Sequence, residues 1–70
     1  MSHMSTTRKF KVGDIVTCVD SWSVNYKQPA IITSLGKDRY FFAEGLDLSF
    51  KRVESGYILW DSPEAVWLRL

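Results

Sequence analysis

Apolar and polar residues along this chain follow a period of two in short segments, which is the period of a β-strand. The clearest segment is LDLSFK at 46–51, where every second residue is apolar. This alternation predicts a strand with one face buried and the other in water, as in an antiparallel sheet. It therefore places Leu48 and Phe50 in the core.

Four other short segments are rich in β-branched and aromatic residues, and polar or glycine-containing turns separate them. These predicted strands cover 10–19, with a bend at Gly13-Asp14, and then 29–35, 39–44 and 57–60. Turns are predicted at 36–38, 44–45 and 54–56. Five short strands predict an all-β domain, either a small antiparallel barrel or a sandwich. The barrel is favoured because a closed sheet has no unpaired edge.

The C-terminal segment carries helix signals instead. Ser62 is a suitable N-cap, Pro63 suits the first helical position, and the Glu64 carboxylate favours the positive end of the helix dipole. The remaining AVWLRL is too short to be a stable helix by itself. We therefore predict a short C-terminal helical turn that docks on the sheet.

Length and composition limit the chain to one domain. It has 70 residues, 46% of them apolar and 14% aromatic, which is near the lower size at which a core is stable without staples. The opening MSHM is typical of a cloning remnant, so we assign 1–9 to a tag remnant and flexible N-terminus, and 10–70 to a single domain. Apolar runs of only a few residues predict neither a signal peptide nor membrane association. The single cysteine, Cys18, indicates a packed thiol in a reducing compartment, hence a cytoplasmic protein.

The first half of the chain contains a recognisable series of motifs. The entry Val12-Gly13-Asp14-Ile15-Val16, a long first loop, the segment Pro29-Ala30-Ile31-Ile32 and an aromatic third strand together resemble the SH3-like barrel superfamily, which includes KOW and Tudor modules. The resemblance covers about 10–60 and implies a small five-stranded antiparallel SH3-like barrel. The later stretch SFKRVESGYILWDSPEA is similar to small phage-encoded proteins.

Aromatic residues provide the first candidate site. Trp22 and Tyr26 lie in the polar loop 20–28, whereas strand positions suited to the core are those of Phe10, Phe41, Phe50 and Trp60. In Tudor-type readers, the first loop and the third strand form an aromatic cage with an acidic residue. The resemblance implies a corresponding set here, with Asp20 or Glu44 as the acidic member and Trp22, Tyr26, Tyr40 and Phe42 as the aromatic members.

Two interpretations of the loop aromatics follow from the sequence. In the first, the loop and the third-strand aromatics contact a protein partner, because exposed rings are enriched at binding hot spots. In the second, the loop is a lid and Trp22 closes one end of the barrel.

Basic residues provide the alternative site. They are interleaved with rings, as in grooves that bind DNA or RNA through phosphate contacts and base stacking. The candidates are Arg8, Lys9, Lys11, Lys37, Arg39, Lys51 and Arg52. A net charge of only +1 makes nucleic acid the second choice, because nucleic-acid domains usually carry a clear basic excess.

Residues for catalysis are scarce. The only histidine, His3, lies in the predicted tag, which leaves no usual general base and no usual zinc site. The four glycines stand far apart rather than in a phosphate-binding loop. We therefore predict a non-catalytic binding module with no cofactor and no metal.

Overall fold

The computed structural model describes residues 8–70, which form five strands and two short helices. The strands are β1 (Ile15–Cys18), β2 (Pro29–Leu35), β3 (Arg39–Phe42), β4 (Asp47–Ser49) and β5 (Tyr57–Leu59); the helices are α1 (Phe50–Gly56) and α2 (Pro63–Arg69). The strands pair antiparallel in the order β4-β3-β2-β1-β5, so the first and last strands are neighbours. The predicted five-stranded antiparallel sheet is confirmed, although β1 begins at Ile15 rather than at Phe10.

The core contains side chains from four strands, from α1 and from the segment before β1. Its buried members are Phe10, Val16, Cys18, Ala30, Ile32, Tyr40, Phe42, Val53 and Tyr57. Leu48 and Phe50 pack against this cluster. Their side chains therefore contact the core as predicted, but they are only partly buried. Burial of Phe10 is confirmed.

The predicted phase of the third strand is wrong. Tyr40 and Phe42 are buried in the core, and Phe41 between them is half-buried. The pairing explains this, because Phe42 lies opposite the buried Ile32, and the register shifts between Ile32 and Ser34. An irregularity of this kind re-aims side chains along the strand. Trp60, also predicted to be a core residue, is only half-buried.

Helix α1 replaces the predicted end of the fourth strand and the predicted turn at 54–56. The Ser49 side chain caps the helix by accepting a hydrogen bond from the Arg52 backbone N–H at 3.2 Å. Val53 is fully buried, and α1 contacts β3, β4 and β5. Because β4 and β5 are the two ends of the sheet order, this helix covers the interval between the strands that would have to meet in a closed barrel.

Helix α2 begins where it was predicted to begin and is longer than one turn. Ser62 is its N-cap, with the hydroxyl accepting from the Ala65 N–H at 3.3 Å, and Pro63 is the first residue. The Arg69 guanidinium donates to the Trp60 carbonyl at 2.6 Å, and its central carbon lies 3.7 Å from the centroid of the Trp60 ring. Neither helix in residues 8–70 has the length and apolar character needed to cross a membrane.

Part of the predicted flexible N-terminus is attached to the domain. The prediction for 1–7 lies outside the described residues. Arg8 donates to backbone carbonyls of the β2–β3 turn, and the Lys9 N–H donates to the Glu54 carboxylate at 2.8 Å. Arg8 and Lys9, which lie before the predicted boundary at residue 10, are therefore bonded to the domain.

Val53→Ala tests the contribution of α1 to the core. We expect the free energy of unfolding to fall by about 2 kcal/mol, because two buried methyl groups are lost at roughly 0.8 kcal/mol each and a cavity remains. Urea denaturation measures this change. The matched control is Val24→Ala at a position that is 94% exposed, where stability should be unchanged. Equal effects of the two substitutions would contradict the packing described for α1.

Candidate functional site

Residues 20–28, called the Trp22 loop below, form a compact series of turns. The N–H groups of Ser23, Tyr26 and Gln28 donate to carbonyls three residues earlier, at 3.0–3.1 Å. The Lys27 N–H donates back to the Cys18 carbonyl at 3.0 Å, and Lys27 has a φ of 65°, in the left-handed region. These bonds anchor the loop to the end of β1.

Arg52 of α1 holds the base of the Trp22 loop. Its guanidinium donates to Asp20 Oδ2 at 2.9 Å and to Cys18 Sγ at 3.4 Å. The same group lies 4.8 Å from the centroid of the Trp22 ring and 5.4 Å from that of Tyr57. The hydrogen bond to Cys18 is the main cause of a raised pKa of Arg52, so the guanidinium stays charged. One side chain thus joins the helix, the loop and the end of β1.

Trp22 is presented to solvent rather than inserted into the core. Its side chain is 75% exposed, and Val24 beside it is more exposed still. Tyr26 is half-buried, forms an isolated bridge with Cys18, and has the Lys27 ammonium 5.3 Å from its ring centroid. The lid interpretation required Trp22 to be inserted at one end of the fold, and its exposure shows that it is not.

The structure does not combine the four predicted aromatics into one surface. Tyr40 and Phe42 lie in the core, so their assignment to a partner-binding surface is corrected. Tyr40 donates to Glu54 at 2.5 Å, and the ring of Phe42 stacks on that of Tyr57 with centroids 6.3 Å apart. With Arg8 lying over the Tyr40 ring and Phe42 packed on Tyr57, neither side chain is exposed to a partner in this structure.

Tyr57 lies beneath the loop. Its side chain is only 2% exposed, and its hydroxyl has no hydrogen-bond partner within residues 8–70, although the Asn25 amide lies nearby. Burial is the main cause of a raised pKa of Tyr57. The residue borders an open cleft of about 450 Å³, whose other polar lining comes from Asn25, Gln28 and Glu44. This size falls within the range of small-ligand clefts.

Most of the predicted basic residues form ion pairs or hydrogen bonds within the chain. Three of them form ion pairs with carboxylates: Lys11 with Asp14, Arg39 with Asp47, and Arg52 with Asp20. Arg8 and Lys9 donate to backbone carbonyls. Lys37 and Lys51 are exposed. The charge available to phosphates is therefore smaller than the sequence indicates.

Sequence reasoning placed Arg52 in the nucleic-acid set and missed its role at the loop. The signal that was overlooked is Ser49, a good N-cap residue, three positions before Arg52. A helix beginning there turns Arg52 toward Asp20.

No group of three or more His, Cys, Asp or Glu within residues 8–70 is arranged to hold a metal ion. Comparison with protein-family models, with curated proteins and with solved structures finds no match to this chain.

Gly56→Ala tests the attachment of the loop to α1. A Cβ at this position would collide with Arg52 Nη1 and Asp20 Oδ2. Helix propensity alone predicts a gain of about 1 kcal/mol from this change. We expect instead a net loss of stability and a shifted Trp22 indole resonance, because the ion pair must open.

Calorimetry and NMR measure the two effects. Ser55→Ala, at the neighbouring exposed position of α1, serves as the control. Stabilisation by Gly56→Ala with an unmoved indole signal would contradict the described ion pair.

Tyr57→Phe tests the buried phenol. At pH 7 we expect stability to be unchanged or to rise by up to about 1 kcal/mol, because a buried hydroxyl without a partner is removed. Because the pKa of Tyr57 is raised in the folded chain, its phenol ionises more readily in the unfolded chain above about pH 10. Stability of the parent therefore falls as the pH rises, and the variant should lose less of it. Denaturation series at pH 7 and pH 11 measure both effects, and a clear loss at pH 7 would show that the hydroxyl is hydrogen-bonded.

Proposed function

We propose that this protein is a non-catalytic binding module with an SH3-like barrel, and that it contacts a protein partner through the Trp22 loop. Two features support the barrel. Strand β1 pairs with both β2 and β5, so the first and last strands are neighbours in the sheet, and α1 contacts both outer strands. The Gly13-Asp14 entry motif and the long first loop support the same assignment.

The observation that carries the binding proposal is an exposed tryptophan on a fixed base. Trp22 is 75% exposed, while Arg52 lies 4.8 Å from its ring and is ion-paired with Asp20. A ring positioned in this way offers a large contact area, and little conformational entropy remains to be lost on binding. The exposed Val24 extends the apolar contact beside it.

The charge distribution favours a protein over a nucleic acid as the partner. The guanidinium of Arg52, which lies against the Trp22 ring, is already neutralised by Asp20. A base that stacked on Trp22 would therefore have no free cation from Arg52 to neutralise its phosphate. A protein side chain packing on Trp22 needs no such charge.

Trp22→Ala tests the proposal, with Trp67→Ala as a matched control because both rings are 75% exposed. The tagged parent and both variants are used to capture partners from a lysate of the source cell, with and without nuclease. We expect a protein that is retained after nuclease treatment, lost with Trp22→Ala and kept with Trp67→Ala. With the purified partner, calorimetry should show a loss of about 1–3 kcal/mol for Trp22→Ala, typical of a hot spot.

Two outcomes would overturn the proposal. Loss of the partner with Trp67→Ala alone would place the contact on α2. Loss of all captured material on nuclease treatment, with affinity falling steeply as salt is raised, would identify nucleic-acid binding through the basic residues instead.

A further inference from the structure

Three backbone carbonyls of the β2–β3 hairpin accept hydrogen bonds from the guanidinium of Arg8. Arg8 Nη1 donates to the Arg39 carbonyl at 3.0 Å, and Nη2 donates to the carbonyls of Lys37, at 3.1 Å, and Gly36. These acceptors are separated from Arg8 by about 30 residues of chain. The contact is therefore tertiary rather than a local turn.

Two parallel rings complete the surroundings of this guanidinium. Tyr40 of β3 and Phe50 of α1 stack with an interplanar angle of 5° and centroids 6.2 Å apart. The central carbon of the Arg8 guanidinium lies 5.0 Å from the first centroid and 5.3 Å from the second. Both distances are within the range of cation–π attraction.

The carbonyls are held in place by bonds that do not involve Arg8. The Gly36 N–H donates to the Arg39 carbonyl at 2.9 Å, which closes the hairpin, and the Phe50 N–H donates to the Asp38 carbonyl at 2.7 Å. Tyr40 is fixed separately by its hydrogen bond to Glu54. The acceptors and the rings should therefore keep their positions when the guanidinium leaves.

This combination suits arginine and not lysine. A guanidinium is planar and carries several donors in a fixed fork, so it can bond to divergent carbonyls and stack on rings at the same time. An ammonium group is compact and strongly hydrated, and it cannot reproduce the stacked plane.

We propose that the three carbonyls of Gly36, Lys37 and Arg39 and the rings of Tyr40 and Phe50 form an arginine-binding site. Arg8 occupies this site from its own chain, and an arginine side chain of a protein partner binds there when Arg8 is displaced. Phe10 is buried and packs edge-to-face with Tyr40. Of the described residues, only Arg8 and Lys9 therefore need to leave, and the core stays closed.

The proposal is tested by emptying the site. Arg8→Ala is titrated with blocked arginine, N-acetyl-arginine methylamide, and backbone amide shifts are followed by NMR. We expect saturable shifts centred on Lys37, Asp38 and Arg39, with millimolar affinity. The parent should bind the same probe several-fold more weakly, because the tethered Arg8 already occupies the site and competes with the probe.

Three controls make the result specific. Blocked lysine, N-acetyl-lysine methylamide, should give at least about tenfold weaker binding to Arg8→Ala. Replacement of Phe50 by leucine in the same background should weaken arginine binding several-fold, since the ring face is lost. Arg8→Lys serves as the emptied site if Arg8→Ala does not fold, and it should bind blocked arginine in the same way.

The proposal is overturned if the shifts do not saturate, if they fall away from the β2–β3 turn, or if blocked lysine binds equally well. Equal binding of blocked arginine by the parent and by the emptied variant would also overturn it.

Discussion

The arrangement of the molecule depends on one short helix that contacts both outer strands of the sheet, β4 and β5. Helix α1 has seven residues, too few to be stable without tertiary contacts. The buried Val53 provides those contacts on one side. Arg52 extends to the Trp22 loop, while Glu54 accepts hydrogen bonds from Tyr40 and from the Lys9 N–H. The core, the loop and the N-terminal segment are therefore attached to the same turn of helix, and loss of α1 would release all three.

Much of the sheet was predictable from the sequence because its strands are bounded by strong turn signals. Strand β2 begins at Pro29 as predicted, and Ser62 with Pro63 marks the start of α2. Helix α1 was missed because LDLSFK keeps a period of two through Phe50, although the strand ends at Ser49. A serine in this pattern fits an outward strand position and an N-cap equally well. Only tertiary packing of Val53 decides between them.

The candidate site was predictable only in its loop part. Trp22 was predicted to lie in a polar loop, but the sequence left open whether its ring is exposed or closes one end of the barrel. The burial of Tyr40 and Phe42 does not follow from the sequence, because a strand of alternating rings has two apolar faces and the sequence does not say which is inward. The register shift in β2 and the partner Ile32 settle that choice. Which face of β3 is buried therefore depends on the register of its pairing with β2, and the pattern of residues within β3 does not reveal that register.

The interleaving of cations and aromatic rings in the sequence predicted phosphate contacts and base stacking. In the structure, several of these cations instead contact aromatic rings of the same chain. Arg8 lies against Tyr40 and Phe50, Arg52 against Trp22 and Tyr57, and Arg69 against Trp60. A domain of this size has a small core, and guanidinium groups over ring faces add cation–π attraction to its stability. Each guanidinium also hydrogen-bonds to a carboxylate or a backbone carbonyl. In so small a domain, basic–aromatic interleaving stabilises the fold first, and it indicates a nucleic-acid surface only where the cations remain free.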